Sequence, residues 1–472
     1  LYNKLQTYDM ISNDTICALA TANGMGAIAV IRVSGPEAIE KVNTLFRSKF
    51  GEKSLLEVDS HTVHLGYFID EEVLIDEALF TVFRGPNSYT GEDVVEISTH
   101  GSMYIQQKVL EVLNKNGIRN ANPGEYTFRA FWNGKMDLTQ AEAVADLIAS
   151  DSKASHEIAM KQMRGGFSNQ IKDLREQIVN FAALIELELD FSEEDVEFAD
   201  RTKLYALLDE LQEVLKRLSD SFVYGNVIKN GVPVAIVGAP NAGKSTLLNA
   251  LLNEERAIVS DVEGTTRDTI EEVLYINGIG FRFIDTAGIR EAGDKIEQIG
   301  IEKTFEKIDK ASIVLYLYDS NIMADNQIAN QLEALISKGK IVFNIANKID
   351  IESDRDVIPQ AIKDEFKEVI HLEISAKEKY NIETLKEKLF DQVQLLNNTD
   401  DTIVSNSRHL DALQKTLAQV HKIRQGMQDG IPTDLLAMDL REGLDYLGAI
   451  TGEIDVDEDI LGTIFGKFCI GK

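Results

Sequence analysis

The sequence predicts a multidomain chain: an N-terminal α+β domain, an all-α helical domain in two separated pieces, and an α/β domain inserted between those pieces. Three observations predict it. Short β-rich runs alternate with glycine- and proline-marked turns up to about residue 130. No proline then falls between Pro123 and Pro233, so long helices can run unbroken. Beyond Gly231, apolar strands alternate with helical segments, and after about residue 400 a purely helical pattern returns.

Each domain has its own justification. Over 10–132, the runs 27–33, 73–83 and 93–98 read as strands among turns and a few helices. Over 133–228, Ile171, Leu174, Ile178, Phe181, Ile185 and Leu189 recur at spacings of three or four, one stripe of an amphipathic helix. Residues 225–231 carry two glycines and two asparagines and read as a connector. Over 229–392, strands at 232–237, 281–285, 312–318, 341–346 and 369–374 alternate with helices, the sign of a parallel sheet. Over 393–472, helices are expected at 410–424 and 434–451. Insertion of one domain into another is physically reasonable because domain termini often lie close together.

The 472 residues suit roughly three domains, and 44% hydrophobic with 27% charged residues is ordinary globular usage. No apolar run reaches the ~18–20 residues that span a bilayer, and no charged-then-apolar leader opens the chain. A soluble, cytoplasmic protein with no membrane association is expected. The chain opens on Leu1; Met10 is one candidate for the natural start, and residues 1–9 receive little functional weight. Cys17 and Cys469 lie at opposite ends, which excludes a disulfide framework and a cysteine zinc site. The charge balance is 48 − 78 = −30. Such a surface repels nucleic acid on average, so any role with RNA needs a local basic patch or a basic partner.

Chemistry concentrates in the inserted domain. Gly238-Ala-Pro-Asn-Ala-Gly243-Lys244-Ser245 is a complete phosphate-binding loop between a strand and a helix beginning at Thr246. Its N–H groups, from Asn241 and Ala242 through Gly243, would wrap phosphate oxygens. Lys244 would reach the β- and γ-phosphates, and the Ser245 hydroxyl would ligate Mg²⁺. Asp285-Thr286-Ala287-Gly288 ends a later strand, where Asp285 would hold Mg²⁺ through water. Asn347-Lys348-Ile-Asp350 ends another. Asp350 there can accept hydrogen bonds from guanine N1 and the exocyclic amine, an arrangement adenine lacks. Ser375-Ala376-Lys377 stands where a base-supporting loop belongs. Any one segment could be a turn or a helix cap; the ordered set specifies GTP and a Ras-like P-loop GTPase fold. Between the loop and the second strand, Thr265 and Thr266 offer hydroxyls. Thr266 would complete Mg²⁺ coordination when the γ-phosphate is present, or else form a local turn. Position 289 is Ile, which cannot orient an attacking water, and Glu297 is the candidate to do so through a bridging water.

These residues resemble a known family. Asn241, Gly264-Thr-Thr-Arg-Asp268, Asp285-Thr-Ala-Gly-Ile-Arg290 and Glu297 together are similar to the GTPase domain of the bacterial tRNA-modifying GTPases of the MnmE (TrmE) family. Tyr89-Thr-Gly-Glu-Asp-Val-Val-Glu96, Lys135-Met-Asp-Leu-Thr-Gln-Ala-Glu-Ala-Val and Phe468-Cys-Ile-Gly-Lys472 extend the likeness over nearly the whole chain from Asp14. Thr21-Ala-Asn-Gly departs from the family pattern and leaves the path of that loop open.

The resemblance implies that K⁺ takes the place of an arginine finger, an element worth ~10³–10⁵ in rate. Its ligands would be Asn241 and Thr265 with the carbonyls of Ser260 and Val262; Asn241 could instead bond its own loop. It implies that the N-terminal domain binds 5-formyl- or 5,10-methylene-tetrahydrofolate through Arg32, Glu96, Lys135 and Lys472, and forms a homodimer. Unaided, each of the four reads first as a surface charge or an ion pair, ahead of a ligand. It implies an FAD-dependent partner, MnmG, with which GTP hydrolysis would serve C5 modification of the wobble uridine of certain tRNAs. Cys469 reads either as a nucleophilic thiol for that chemistry or as a small apolar residue. The rival is a regulatory GTPase switch of the ribosome-assembly kind, which needs no one-carbon site.

Overall fold

The computed structural model describes residues 13–190, 201–252, 272–284, 308–351, 357–396, 402–431 and 433–453, with 461, 464–466, 468 and 471 near the C-terminus. The chain divides into two compact units. One comprises Leu1–Ala149, Ala159–Leu215 and Asp411–Lys472, the other Ser150–Ile158 and Lys216–Leu410.

The first unit is built on a seven-stranded sheet of β1 (Ile16–Leu19), β2 (Ile28–Ser34), β3 (Phe46–Ser48), β4 (Thr62–Asp70), β5 (Val73–Phe83), β6 (Val94–His100) and β7 (Arg119–Asn120). Their spatial order is β3-β4-β5-β6-β2-β1-β7, antiparallel throughout except for the β1–β7 pair. The alternation seen in sequence has its usual cause: Ile31, Val33, Phe80, Val82, Val95 and Ile97 point inward. There they meet Ala38, Ile39 and Val42 of α1 (Ala38–Thr44) and Val109, Val112 and Leu113 of α2 (Met103–Lys115). The opposite face is more open. Helices α3 (Glu125–Trp132), α4 (Leu138–Ala149), α5 (Lys153–Met163), α6 (Gly166–Asp190) and α7 (Arg201–Asn230) follow in the chain, the start of α5 to Ile158 and α7 from Lys216 belonging to the second unit. In α6 the expected stripe is realised, for Ile171, Leu174, Ile178 and Phe181 are all buried.

In the second unit, β8 (Val232–Val237), β9 (Glu272–Ile276), β10 (Ile279–Phe283), β11 (Ile313–Asp319), β12 (Ile341–Asn347) and β13 (Ile370–Glu373) form a sheet ordered β13-β12-β11-β8-β10-β9. All neighbours are parallel except β9 with β10. Its helices are α8 (Lys244–Leu252), α9 (Asp325–Ile336), α10 (Gln360–Glu365) and α11 (Ile382–Gln394). They cover two apolar faces, one centred on Leu247, Phe281, Leu315 and Ile345 and the other on Val314, Tyr316, Leu332 and Val342. This is the α/β layering that alternating strands and helices imply. The chain closes with α12 (Ser407–Asp429) and α13 (Thr433–Thr451), and α13 packs along α6. Long helices thus flank the α/β sheet in sequence on both sides. Among the described residues, no helix is long and apolar enough to cross a membrane.

Two local expectations are corrected. The segment 225–231 is not a connector, because α7 continues to Asn230 and ends at Gly231, whose φ is +75°. Gly225 sits inside the helix for a packing reason: a Cβ there would stand 2.2 Å from the Val404 carbonyl oxygen. The Gly was spent on close backbone approach rather than on breaking the helix. Strand β9 was not anticipated at all. Its signal was Asn277-Gly278, both at positive φ (+50° and +82°), the pair a type I′ hairpin turn requires.

Candidate functional site

The loop after β8 has the backbone a phosphate cradle needs. Gly238 has φ +151°, and a Cβ on it would fall 1.9 Å from the Leu317 carbonyl oxygen. Gly243 has φ +101°, and its Cβ would fall 2.3 Å from Asn347 Nδ2. Neither position admits a side chain. Lys244 begins α8, and its Nζ donates to the carbonyls of Gly238 and Ala239 at 2.8 Å each. The ammonium thereby lies across the mouth of the loop, where phosphate oxygens would compete for it. Ser245 and Thr246 follow in the first turn of α8, where helix N–H groups are unsatisfied by the helix itself. Asn241 stands exposed at φ +60°, and its side chain makes no hydrogen bond with the described residues.

Three strand ends converge on this loop. Asn347, the last residue of β12, is 2% exposed. Its Nδ2 donates to the Ala242 carbonyl at 2.8 Å, and its Oδ1 accepts the Ala376 N–H at 3.0 Å. One side chain therefore ties the phosphate loop to the Ser375-Ala376-Lys377 segment. Ser375 Oγ donates to Asp350 Oδ1 at 2.6 Å, leaving the second carboxylate oxygen outside that bond. The Ser375 hydroxyl holds the Asp350 carboxyl below its usual pKa range. Lys377 is exposed and pairs with Glu378 at 3.3 Å.

Lys348 has φ +66°, and its Nζ meets Asp319 Oδ2 at 2.8 Å. Partial burial pushes the Asp319 carboxyl up, but Lys348 and Asn321 outweigh it and the group lies below its ordinary pKa. Asp319 went unnoticed in the sequence; its signal was an acidic residue at the C-terminal end of a parallel strand, where ligand sites of α/β sheets form. Residues 239–242, Asp319, Met323, Gln327 and Lys348 line a cleft of about 430 Å³.

The structure thus brings Asn241, Ala242, Gly243, Lys244, Ser245, Thr246, Asn347, Lys348, Asp350, Ser375, Ala376 and Lys377 to one end of the sheet. Ser260, Val262, Thr265, Thr266, Asp285, Thr286, Ala287, Gly288 and Glu297 lie outside the described residues.

The first unit holds a second constellation. Arg32 and Glu96 are direct cross-strand partners on β2 and β6. Arg32 Nε and Nη2 both reach Glu96 Oε1, at 2.9 and 2.7 Å. Lys135 donates to the Pro86 carbonyl at 2.8 Å. Lys472 and Cys469 lie outside the described residues. Gly471, between them in sequence, packs its backbone on Leu19: a Cβ there would be 2.2 Å from the Leu19 carbonyl oxygen. Leu19 belongs to β1, the strand next to the one that carries Arg32. Phe465 is likewise fixed on this unit, edge-to-face with Phe128 at 5.2 Å. Cys17 is the opposite of a reactive thiol, because burial pushes its pKa up to about 12.

A phosphate cradle and an Asn-Lys-x-Asp strand end on a largely parallel sheet define a P-loop GTP hydrolase, here set within a much longer chain. Comparison with known proteins narrows the class. The family model described as the MnmE helical domain matches residues 138–469, and that of the GTP-binding protein TrmE N-terminus matches 15–135. The tRNA modification GTPase MnmE of Flavobacterium johnsoniae is 56% identical over 470 residues, covering 98% of this chain and 100% of the relative. That of Bacteroides thetaiotaomicron is 52% identical over 469 residues, with 98% and 100% covered. Among solved structures, a GTP-binding protein of Sulfolobus solfataricus in complex with GDP aligns at a TM-score of 0.27 and 19% identity, over 48% of this chain and 68% of that one. The chain belongs to the MnmE (TrmE) family of tRNA-modification GTPases.

Proposed function

We propose that this chain hydrolyses GTP, with K⁺ stimulation, to reorganise a joint active site that adds an aminomethyl or carboxymethylaminomethyl group to C5 of the wobble uridine of certain tRNAs. The observation that carries this over a regulatory switch is the cross-strand Arg32–Glu96 pair, in which the hydrogen bond from Arg32 goes to Oε1 of the part-buried carboxylate. A switch has no use for such a site. The amide-amine edge of a pterin does, because a carboxylate can accept its donors.

At the nucleotide site, Lys244 would exchange its two loop carbonyls for phosphate oxygens, and Asp350 would accept the guanine donors on the oxygen that Ser375 leaves outside their bond. Ser245 and Thr266 would hold Mg²⁺, which neutralises charge on the β- and γ-phosphates. Asn241, Ser260, Val262 and Thr265 would hold K⁺, which supplies the positive charge of an arginine finger. The exposed Asn241 amide, without a hydrogen bond to the described residues, supports this reading. Glu297 would orient the attacking water. Arg32, Glu96, Lys135 and Lys472 would bind 5-formyl- or 5,10-methylene-tetrahydrofolate, the one-carbon donor. The packing of Gly471 on Leu19 supports a part for the C-terminal segment, and with it for Cys469 as a thiol near the target base.

The partners on this reading are a second copy of the chain and the FAD-dependent MnmG, in the cytoplasm. The net charge of −30 argues that MnmG supplies most of the surface that meets tRNA. Two measurements test the function. Nucleoside analysis of cells lacking this chain should show wobble uridine without the C5 group, and unchanged nucleosides would refute the modification reading. GTP turnover should fall sharply when Na⁺ replaces K⁺, and equal rates in both salts would refute the cation.

A further inference from the structure

The Tyr89–Glu96 motif contributes more to the first unit than the carboxylate of Glu96. A forked arginine–carboxylate pair would occupy both carboxylate oxygens. Here Nε and Nη2 both approach Oε1, at 2.9 and 2.7 Å, and the hydrogen bond of the pair goes to that oxygen, an end-on arrangement. What fixes the guanidinium in that attitude is a pair of aromatic rings. Its central carbon lies 5.4 Å from the Tyr89 ring centroid and 5.7 Å from that of Tyr126, both within cation–π range. Tyr126 is fully buried, and its hydroxyl donates to the Arg32 carbonyl at 2.7 Å, so it is held by the strand that carries Arg32.

Tyr89 comes from a loop, and that loop is fastened on both sides of it. Before it, Lys135 Nζ donates to the Pro86 carbonyl at 2.8 Å, and the Gly85 N–H donates to Asp93 Oδ1 at 2.9 Å. After it, Thr90 Oγ1 bonds Ser34 Oγ at 2.8 Å, and Asn133 Nδ2 donates to the Thr90 carbonyl at 2.8 Å. Glu92 then pairs with the buried Arg129 at 3.2 Å. Gly91 has φ +81° and could not carry a Cβ without pressing on Asn133 at 3.1 Å. The Tyr89 hydroxyl itself bonds Thr127 Oγ1 at 2.8 Å. The loop is therefore fastened on both sides of the ring and at its hydroxyl.

We propose that Tyr89 is a positioning residue of the folate site: its ring covers the Arg32 guanidinium and keeps it end-on to Glu96, so that Oε2 remains for the donor edge of the bound pterin. The inference rests on the folate reading given above. Losing the ring should weaken binding by about 2–30-fold, the span of cation–π interactions at half-buried sites.

The test is calorimetric titration of the full chain with 5-formyl-tetrahydrofolate. Tyr89→Phe keeps the ring and gives up only the bond to Thr127, so it should bind within about twofold of wild type. Tyr89→Leu should show the predicted loss; should that variant fail to fold, Tyr89→Met serves in its place. Rescue by Phe is what a merely structural hydroxyl contact would not produce. Wild-type affinity in Tyr89→Leu, or equal losses in Phe and Leu, overturns the proposal while leaving the folate site standing. No binding by the wild type removes the folate reading and this proposal with it.

Discussion

Asn347→Ala probes whether the phosphate loop and the base loop are one mechanical unit. The side chain is 2% exposed and makes two bonds, to the Ala242 carbonyl and from the Ala376 N–H. Both partners belong to buried residues, so truncation strands one acceptor and one donor away from water. Each stranded group costs about 1–3 kcal/mol, which gives about 2–6 kcal/mol together, with the low end applying if a water enters the vacated space. For a unit of this size, about 2–4 °C is lost per kcal/mol, so its melting transition should fall by about 4–24 °C. The assay is differential scanning calorimetry with and without GDP, following the transition that nucleotide raises. Guanine-nucleotide affinity should fall at least about tenfold as well, since 1.4 kcal/mol of lost loop order already suffices. An unshifted transition together with wild-type affinity would refute the coupling of the two loops through this amide.

Two further predictions follow from packing and burial. Gly225→Ala should destabilise the second unit by about 1–3 kcal/mol in urea unfolding, because the new Cβ meets the Val404 carbonyl at 2.2 Å; helix propensity alone predicts a gain of about 1 kcal/mol, so a stabilised variant would show that the close approach is wrong. Native Cys17 should resist iodoacetamide at pH 8 and react once the chain is unfolded. Its folded pKa lies above its unfolded value, so the associated stability is intact below the ordinary thiol pKa and is lost as pH rises toward about 12. Rapid alkylation of the folded protein at Cys17, read by mass spectrometry, would contradict the burial.

What the sequence made legible was whatever a single short segment settles by itself. The phosphate loop could be read because its glycines, Lys244 and Ser245 are neighbours in the chain and its flanks carry their own strand and helix periodicity. The same holds for β8 and the α6 stripe. The site's internal order was of another kind. Asn347 was visible as part of Asn-Lys-x-Asp, yet its bond to Ala242 joins residues 105 positions apart and depends on the lateral order of β8, β11 and β12.

Arg32 and Glu96 could be nominated only by resemblance, because their contact is a matter of strand register between segments 64 positions apart. One residue of slip would send the two side chains to opposite faces. Gly225 shows the limit most sharply. Asn and Gly near a helix end normally argue for a break, and the competing reason, the Val404 carbonyl, sits far along the chain. The Tyr89–Glu96 motif falls between these cases. Its residues are contiguous, but their partners Arg32, Ser34, Thr127, Arg129 and Asn133 are not, so the motif could be recognised in sequence and explained only in three dimensions. A contiguous motif whose members each reach a different distant element acts as a clamp, and a clamp keeps its residues because the geometry it imposes has several simultaneous requirements.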